Sequence, residues 1–428
     1  MTYASAELLT VSLDRATPLK VGRLASRNRQ VLFEYDPSFV ASGIEISPFK
    51  LPLKSGVVIC PDMVFDGLYG VFNDSLPDGW GRLLLDRHME KHGVNRRQLT
   101  VLDRLAYVGQ HGMGALIYEP ARDEGDVQDK PLALDRIAAE SAIVLTGENE
   151  AVFEELLRLN GSSAGARPKI LAQVSADKKR IIHGQQKLQP GFNHWMIKFA
   201  TLQDPGDIGV IEYAYSLMAT DAGLDMSKTH LFQTRKRAYF GTRRFDRQGD
   251  GRIHVHSLSG LIHADYRTPS LDYDTILRVT LLLTKNVAEV EKAYALACFN
   301  VLAHNRDDHA RNFSFLLTDR NEWTFAPAYD LTFSHGPGGE QSTMVLGEGA
   351  NPGAKHLAAL GKKHSLKAAP DILARVQAAI SRWRISADRA GLSDRSATAI
   401  ARHHGPADQK FLKPPLRAPA PRKSTAKT

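Results

Sequence analysis

One stretch limits what this chain can fold into more than any other: Val301 to Asp330, VLAHNRDDHARNFSFLLTDRNEWTFAPAYD. It leaves the end of an apolar helical pattern and enters a polar loop, Asn305 to Asn312. An alternating run follows, with Phe313, Phe315 and Leu317 on one face, then a turn at Asp319-Arg320-Asn321 and a second apolar run around Trp323 and Phe325. Paired as a hairpin, the two runs set Asn312 and Asp330 side by side at the open end, with Asp307 in the loop just before it. Side-chain oxygens facing one point suit a hard cation such as Mg²⁺. An Asp, an Asn five residues on and a later Asp on the metal are also the parts of a phosphoryl-transfer site.

The rest of the chain must then supply a nucleotide. Residues 161–169, GSSAGARPK, place small residues before a strand, where backbone N–H groups can approach a phosphate. Trp195-Met196-Ile197-Lys198-Phe199 reads as an apolar strand with one lysine inside it. Alternation puts Met196 and Lys198 on one face, opposite Trp195, Ile197 and Phe199. A buried ammonium is costly without an anion, so Lys198 either reaches water or has a partner. Asp207 reads as the N-cap of a following helix, and Glu212 in its first turns could reach Lys198.

Composition narrows the class. Of 428 residues, 43% are hydrophobic and 24% charged, as in an ordinary soluble protein of two or three domains. No apolar run is long enough for a membrane span, and the N-terminus does not read as a secretory signal, so a cytoplasmic protein with no membrane contact is expected. Cys60 and Cys298 read as two buried thiols. The net charge of +8 invites a nucleic-acid reading, but residues 405–428 carry six Lys/Arg against Asp408 alone, leaving a mildly basic body.

In chain order we expect a mixed subdomain over 1–120 and a linker over 121–131. A small lobe with the phosphate loop and the lysine spans 132–250, a helical lobe with the catalytic loop spans 251–404, and a basic, Pro-rich disordered tail closes the chain. The fold class is α+β: a two-lobed, protein-kinase-like fold with an N-terminal mixed α/β subdomain and a mainly helical C-terminal lobe.

Seven motifs in this order resemble the HipA family of bacterial toxin kinases: FNDSLPDGWGR (72–82), GMGALIYEP (112–120), SSAGARPK (162–169), WMIKF (195–199), RRFDR (243–247), NRDDHARNFSFL (305–316) and PAYD (327–330). The resemblance runs from about residue 20 to about residue 400. It implies Asp307 as the catalytic aspartate, Asn312 and Asp330 as Mg²⁺ ligands, and Lys198 on the phosphates of ATP. Ser163, Ala164, Gly165 and Ala166 would lie over those phosphates, and Phe245 would line the adenine pocket. Ser162, beside Ser163, matches the family's autophosphorylated serine. Arg243 stands where the family's best-known pattern is acidic. The resemblance further implies a HipB-like helix-turn-helix antitoxin that carries most contact with DNA, and a protein substrate of a kind that in the family includes aminoacyl-tRNA synthetases.

Two other readings compete. His304, Asp307, Asp308 and His309 have the donor types of a metal-dependent phosphohydrolase, a reading that leaves Lys198, the 162–169 loop and Asp330 without a role. A pure binding protein would not need the full Lys/Asp/Asn/Asp set. His309 is read as structural, hydrogen-bonded within its loop.

Overall fold

The computed structural model describes residues 5–28, 30–121, 131–146, 153–160, 165–184 and 187–404. Five antiparallel strands open the chain: Leu8–Leu13 (β1), Leu19–Arg27 (β2), Gln30–Tyr35 (β3), Val57–Ile59 (β4) and Leu116–Glu119 (β5), in the order β4-β3-β2-β1-β5. β1 shows why this segment is a strand: Leu9, Val11 and Leu13 alternate inward and are fully buried, while Thr10 and Ser12 are not. The same segment carries the helices Pro37–Ser42 (α1), Gly70–Asn73 (α2), Gly79–Lys91 (α3) and Val101–Val108 (α4). Thr100 and Asp103 form a reciprocal capping box at the start of α4. The linker expected over 121–131 lies almost wholly outside the described residues, as does the tail 405–428.

Helices Leu134–Thr146 (α5) and Phe153–Asn160 (α6) precede a second antiparallel sheet. Its strands are Lys169–Ser175 (β6), Ile181–His183 (β7), Phe192–Lys198 (β8), Thr229–Gln233 (β9) and Ala238–Arg243 (β10), ordered β7-β6-β8-β10-β9. Ile208–Asp221 (α7) connects β8 to β9. Asp207 occupies its N-cap position, but its side chain makes no cap hydrogen bond and instead accepts from Ser393 Oγ at 3.2 Å. A small hairpin, Arg247–Gln248 (β11) and Gly251–Arg252 (β12), leads to His254–Ser257 (β13) and Leu258–Ile262 (α8).

The remainder is mainly helical: Tyr273–Thr284 (α9), Val287–Leu302 (α10), Ala354–Lys363 (α11), Ala369–Ser381 (α12), Trp383–Ala390 (α13) and Asp394–Ala401 (α14). Leu271–Asp272 (β14) pairs with Thr343–Met344 (β17), and the hairpin Ser314–Leu317 (β15) and Trp323–Phe325 (β16) adds to β13. A strand-rich lobe followed by a helical one, behind a mixed subdomain, is the two-lobed kinase-like α+β fold expected from the sequence. The chain turns at Arg382, which separates α12 from α13.

The packing divides differently from the chain order. Residues of the first sheet, such as Leu9, Phe33 and Tyr118, share one continuous core with Tyr215 of α7 and with Tyr294 and Trp383 of the helical lobe. Trp80, Leu84 and Leu85 of α3 belong to a second core, with Ile137, Trp195, Ile197 and Phe199 around the second sheet. Thus α3 is contributed by the first segment and buried with the next. Cys60 and Cys298 are buried free thiols. No described helix is long and apolar enough to cross a membrane.

Candidate active site

The alternation of β8 buries Trp195 and Ile197 on one face and turns Met196 and Lys198 toward a cleft between the second sheet and the helical lobe. Lys198 does not reach water: its side chain is 11% exposed, and its Nζ donates to Glu212 Oε1 of α7 and to Asp330 Oδ1, each at 2.5 Å. Burial disfavours the ammonium, but Asp330 and Glu212 together raise its pKa above the ordinary lysine value. Lys198 in turn holds the Asp330 carboxyl well below the usual carboxylate range. Glu212, 3% exposed, moves the other way, because burial outweighs the pull of Lys198. Asp330 remains 40% exposed and lines the cleft, on backbone in the left-handed region at φ 57°.

A second lysine was not singled out from the sequence. Lys169 stands directly opposite Lys198 in the β6–β8 register and also lines the cleft. Burial first, and then repulsion by Lys198, push its pKa down to about 8. Like charges paired across strands repel, so the two lysines make this end of the cleft a place for a polyanion.

The β15–β16 hairpin forms as the sequence predicts, and both Asn312 and Asp330 line the cleft. The Asn312 amide Nδ2 donates to the Asp307 carbonyl at 2.7 Å, which leaves its Oδ1 as the atom available to a cation. An amide oxygen and a carboxylate on one wall are a donor set that fits Mg²⁺.

Asp307 itself is exposed and lines an adjoining cavity of about 470 Å³ with Tyr266, Arg267, His309 and Ser334 to Pro337. His309 lines both spaces. No hydrogen bond to its ring is found among the described residues, and its Nδ1 is buried without a partner. The expected hydrogen bond within the loop is therefore not made; the ring packs on Tyr266 at 5.7 Å instead. Asp308 points away into the core and accepts from Tyr273 Oη at 2.5 Å, Gln341 Nε2 at 3.0 Å and Thr343 N at 3.1 Å. Asp307 and Asp308 are thus separated, and the His304-to-His309 donors do not gather as one metal set.

Gly165 and Ala166 are at the described end of the loop expected to cover phosphates; Ser162, Ser163 and Ala164 lie outside the described residues. Gly165 is fixed by the FNDSLPDGWGR motif of the first subdomain, to which no site role was assigned from the sequence. Its N–H donates to Asp78 Oδ1, and its carbonyl accepts from Trp80 N at 3.1 Å. The other Asp78 oxygen pairs with Arg311 of the Asn305–Asn312 loop. Gly79, at φ 43°, allows this approach: a Cβ there would lie 2.6 Å from the Gly165 carbonyl oxygen. Asp74 of the same motif accepts from His256 Nδ1 and Ser257 N, both at 2.7 Å. A rigid turn carrying two carboxylates was the only signal in the sequence for these roles.

Phe245 lines the far end of the cleft and tilts against Tyr329 at 5.5 Å. Arg243 lies beside it in the lining. Arg244 and Arg247 both pair with the buried Asp246, which also accepts from Gly114 N at 2.9 Å. In this way RRFDR is locked to GMGA of the first subdomain.

Comparison with known proteins returns one consistent answer. A HipA N-terminal domain matches residues 10–119, and a HipA-like C-terminal domain matches residues 161–384, more than half of the chain. The fold is similar to that of HipA from Shewanella oneidensis MR-1, solved with HipB and its operator DNA. There the TM-score is 0.68 at 17% identity, over 92% of this chain and 95% of that one. A candidate kinase of Sinorhizobium fredii, Y4dM, is 26% identical over 151 residues, covering 32% of this chain and 36% of that protein. This chain therefore matches only about a third of that relative's length.

Proposed function

The chain belongs to the HipA family of protein kinases, and on that premise we propose that it is an ATP- and Mg²⁺-dependent serine/threonine kinase, the toxin of a toxin–antitoxin module. One observation carries the reading: Lys169 and Lys198, paired across two strands, line one cleft together with Asn312 and Asp330. Cationic and metal-binding side chains gathered in one cleft suit a triphosphate with its cation.

In this reading Lys198, oriented by Glu212, binds the α/β-phosphates, and Lys169 adds charge beside it. Gly165 and Ala166, with Ser163 and Ala164, cover the phosphates through backbone N–H groups, and Phe245 packs against the adenine. Asn312 and Asp330 would hold Mg²⁺, which when bound neutralises phosphate charge. Asp307 accepts the proton of a serine or threonine hydroxyl delivered through the cavity of about 470 Å³. Catalysis is then mainly positioning and charge stabilisation. Ser162 is the proposed autophosphorylation site, where a phosphate adds about −2 charge beside the nucleotide. The partners we propose are a HipB-like helix-turn-helix antitoxin, which supplies most DNA contact, and a cytoplasmic protein substrate of the aminoacyl-tRNA synthetase class.

Incubation of the full chain with ATP and Mg²⁺, followed by mass spectrometry, is expected to find phosphate on Ser162. The phosphate should be lost in Ser162→Ala but kept in Ser163→Ala. Asp307→Asn and Asp330→Asn should each slow incorporation by about 10³-fold or more. A wild-type protein that binds no ATP and gains no phosphate overturns the proposal.

A further inference from the structure

Three histidines far apart in sequence meet outside the cleft. His304 follows α10 in the left-handed region at φ 57°, His335 lies five residues beyond Asp330, and His403 follows α14. One ring nitrogen from each lies within 4.8 Å of the other two. Ring centroids are 5.0 Å apart for His304 and His403, and 5.2 Å for His335 and His403. Phe333 stacks on His304 at 5.4 Å and meets the other two rings at 4.9 and 5.1 Å, forming an apolar floor. His304 is half-buried, while His335 and His403 are exposed. None of the three rings makes a hydrogen bond to the described residues.

A second group, Cys60, Asp62 and His263, shows what a satisfied cluster looks like here. His263 Nε2 accepts from Gly70 N at 3.0 Å, so Nδ1 carries the proton and donates it to Asp62 at 2.7 Å. That ring's capacity is used within the protein. Among the described residues the His304 cluster has no such internal partners.

We propose that His304, His335 and His403 form a binding site for a divalent transition metal of the zinc class, with three imidazole ligands and the fourth position open to solvent. Tetrahedral zinc takes imidazole nitrogens at about 2.0–2.1 Å, which places the ligand atoms about 3.3 Å from one another. Binding would require the present spacing, within 4.8 Å, to close to that value, and the two exposed rings are free enough of packing to do so by rotation. Arg306 opposes a cation, but its guanidinium is turned to the Gly339 and Ala350 carbonyls. Ser334 N already donates to the His304 carbonyl at 3.1 Å, so two of the three ligand segments are held together without metal. Metal would add the end of α14 to them and fix His335, which lines the cavity beside Asp307. The site depends on the three rings alone and stands apart from the kinase reading.

Zinc chloride titrated into the metal-stripped full chain, read by calorimetry, tests the proposal, with magnesium chloride as the contrasting ion. One zinc per chain is expected, and cobalt(II) in its place should give the visible absorption of a tetrahedral centre. His335→Ala and His403→Ala should each weaken zinc at least tenfold while melting as the wild type does. His364→Ala, whose ring pairs with Asp274 at 2.9 Å, should leave binding unchanged. On the wild type, zinc should also protect His335 and His403 from diethyl pyrocarbonate, a readout that needs no variant. Absence of stoichiometric uptake, binding that survives either alanine, or unprotected rings overturns the site.

Discussion

Asp307 and Asp308 are neighbours with opposite surroundings. Asp307 faces an open cavity, whereas Asp308 is fully buried and meets Tyr273, Gln341 and Thr343. Burial pushes the Asp308 carboxyl up to about 6 from its ordinary 3.8, although the three donors oppose the shift. The folded protein therefore takes up a proton near pH 6 that the unfolded chain takes up near pH 4, and folding gains stability as pH falls between them. This contribution is lost again as pH rises through 6. Relative to Asp308→Asn, the wild type should gain about 1 kcal/mol by pH 5 and about 2 kcal/mol by pH 4, measured by urea denaturation from pH 7 downward. A difference that stays constant over that range would show that Asp308 does not titrate as described. The spacing to Asn312 was enough to single out Asp307 in the sequence. The partners of Asp308 lie more than thirty residues away, so no local pattern could reveal its role.

At the scale of elements, the turn that starts α3 joins the first subdomain to two parts of the cleft, through Asp78 to Gly165 and to Arg311. Gly79→Ala is expected to shift the phosphate loop, since a Cβ there meets Gly165 and Ala166 backbone at 2.6 and 2.7 Å. The KM for ATP should rise about tenfold while the protein stays folded, a loss of about 1.4 kcal/mol in nucleotide binding. Gly43→Ala, also at positive φ but with open space around it, should leave that KM alone. Steady-state kinetics on the two variants decides the matter. The strands were legible where alternation is strict: Met196 and Lys198 do share a face. What alternation could not say is that this face lines a cleft, because Glu212 and Asp330 come from elsewhere in the chain. The Asp78 contact was likewise hidden, since a turn followed by a helix has an ordinary structural meaning.

Across the whole molecule, the two-lobed α+β class was readable because strand-period segments precede the mainly helical ones. The division of the core was not, because it depends on which faces meet. The four tryptophans split evenly between the two cores: Trp80 and Trp195 in one, Trp323 and Trp383 in the other. Two denaturation midpoints are therefore expected. Fluorescence of a Trp323→Phe/Trp383→Phe protein should follow the second-sheet core, and that of Trp80→Phe/Trp195→Phe the larger one. ATP with Mg²⁺ should raise the midpoint of the former more. Coincident midpoints in both proteins would mean that the cores melt as one. The placement of α3 has a further consequence for how such a chain can be divided or recombined. A cut in the segment after residue 120 would leave the first piece with the Trp80, Leu84 and Leu85 face bare, and the second piece with a sheet missing part of its cover. Neither half is a transplantable module, so gene fusions and truncations that treat the kinase portion as self-contained should yield insoluble protein.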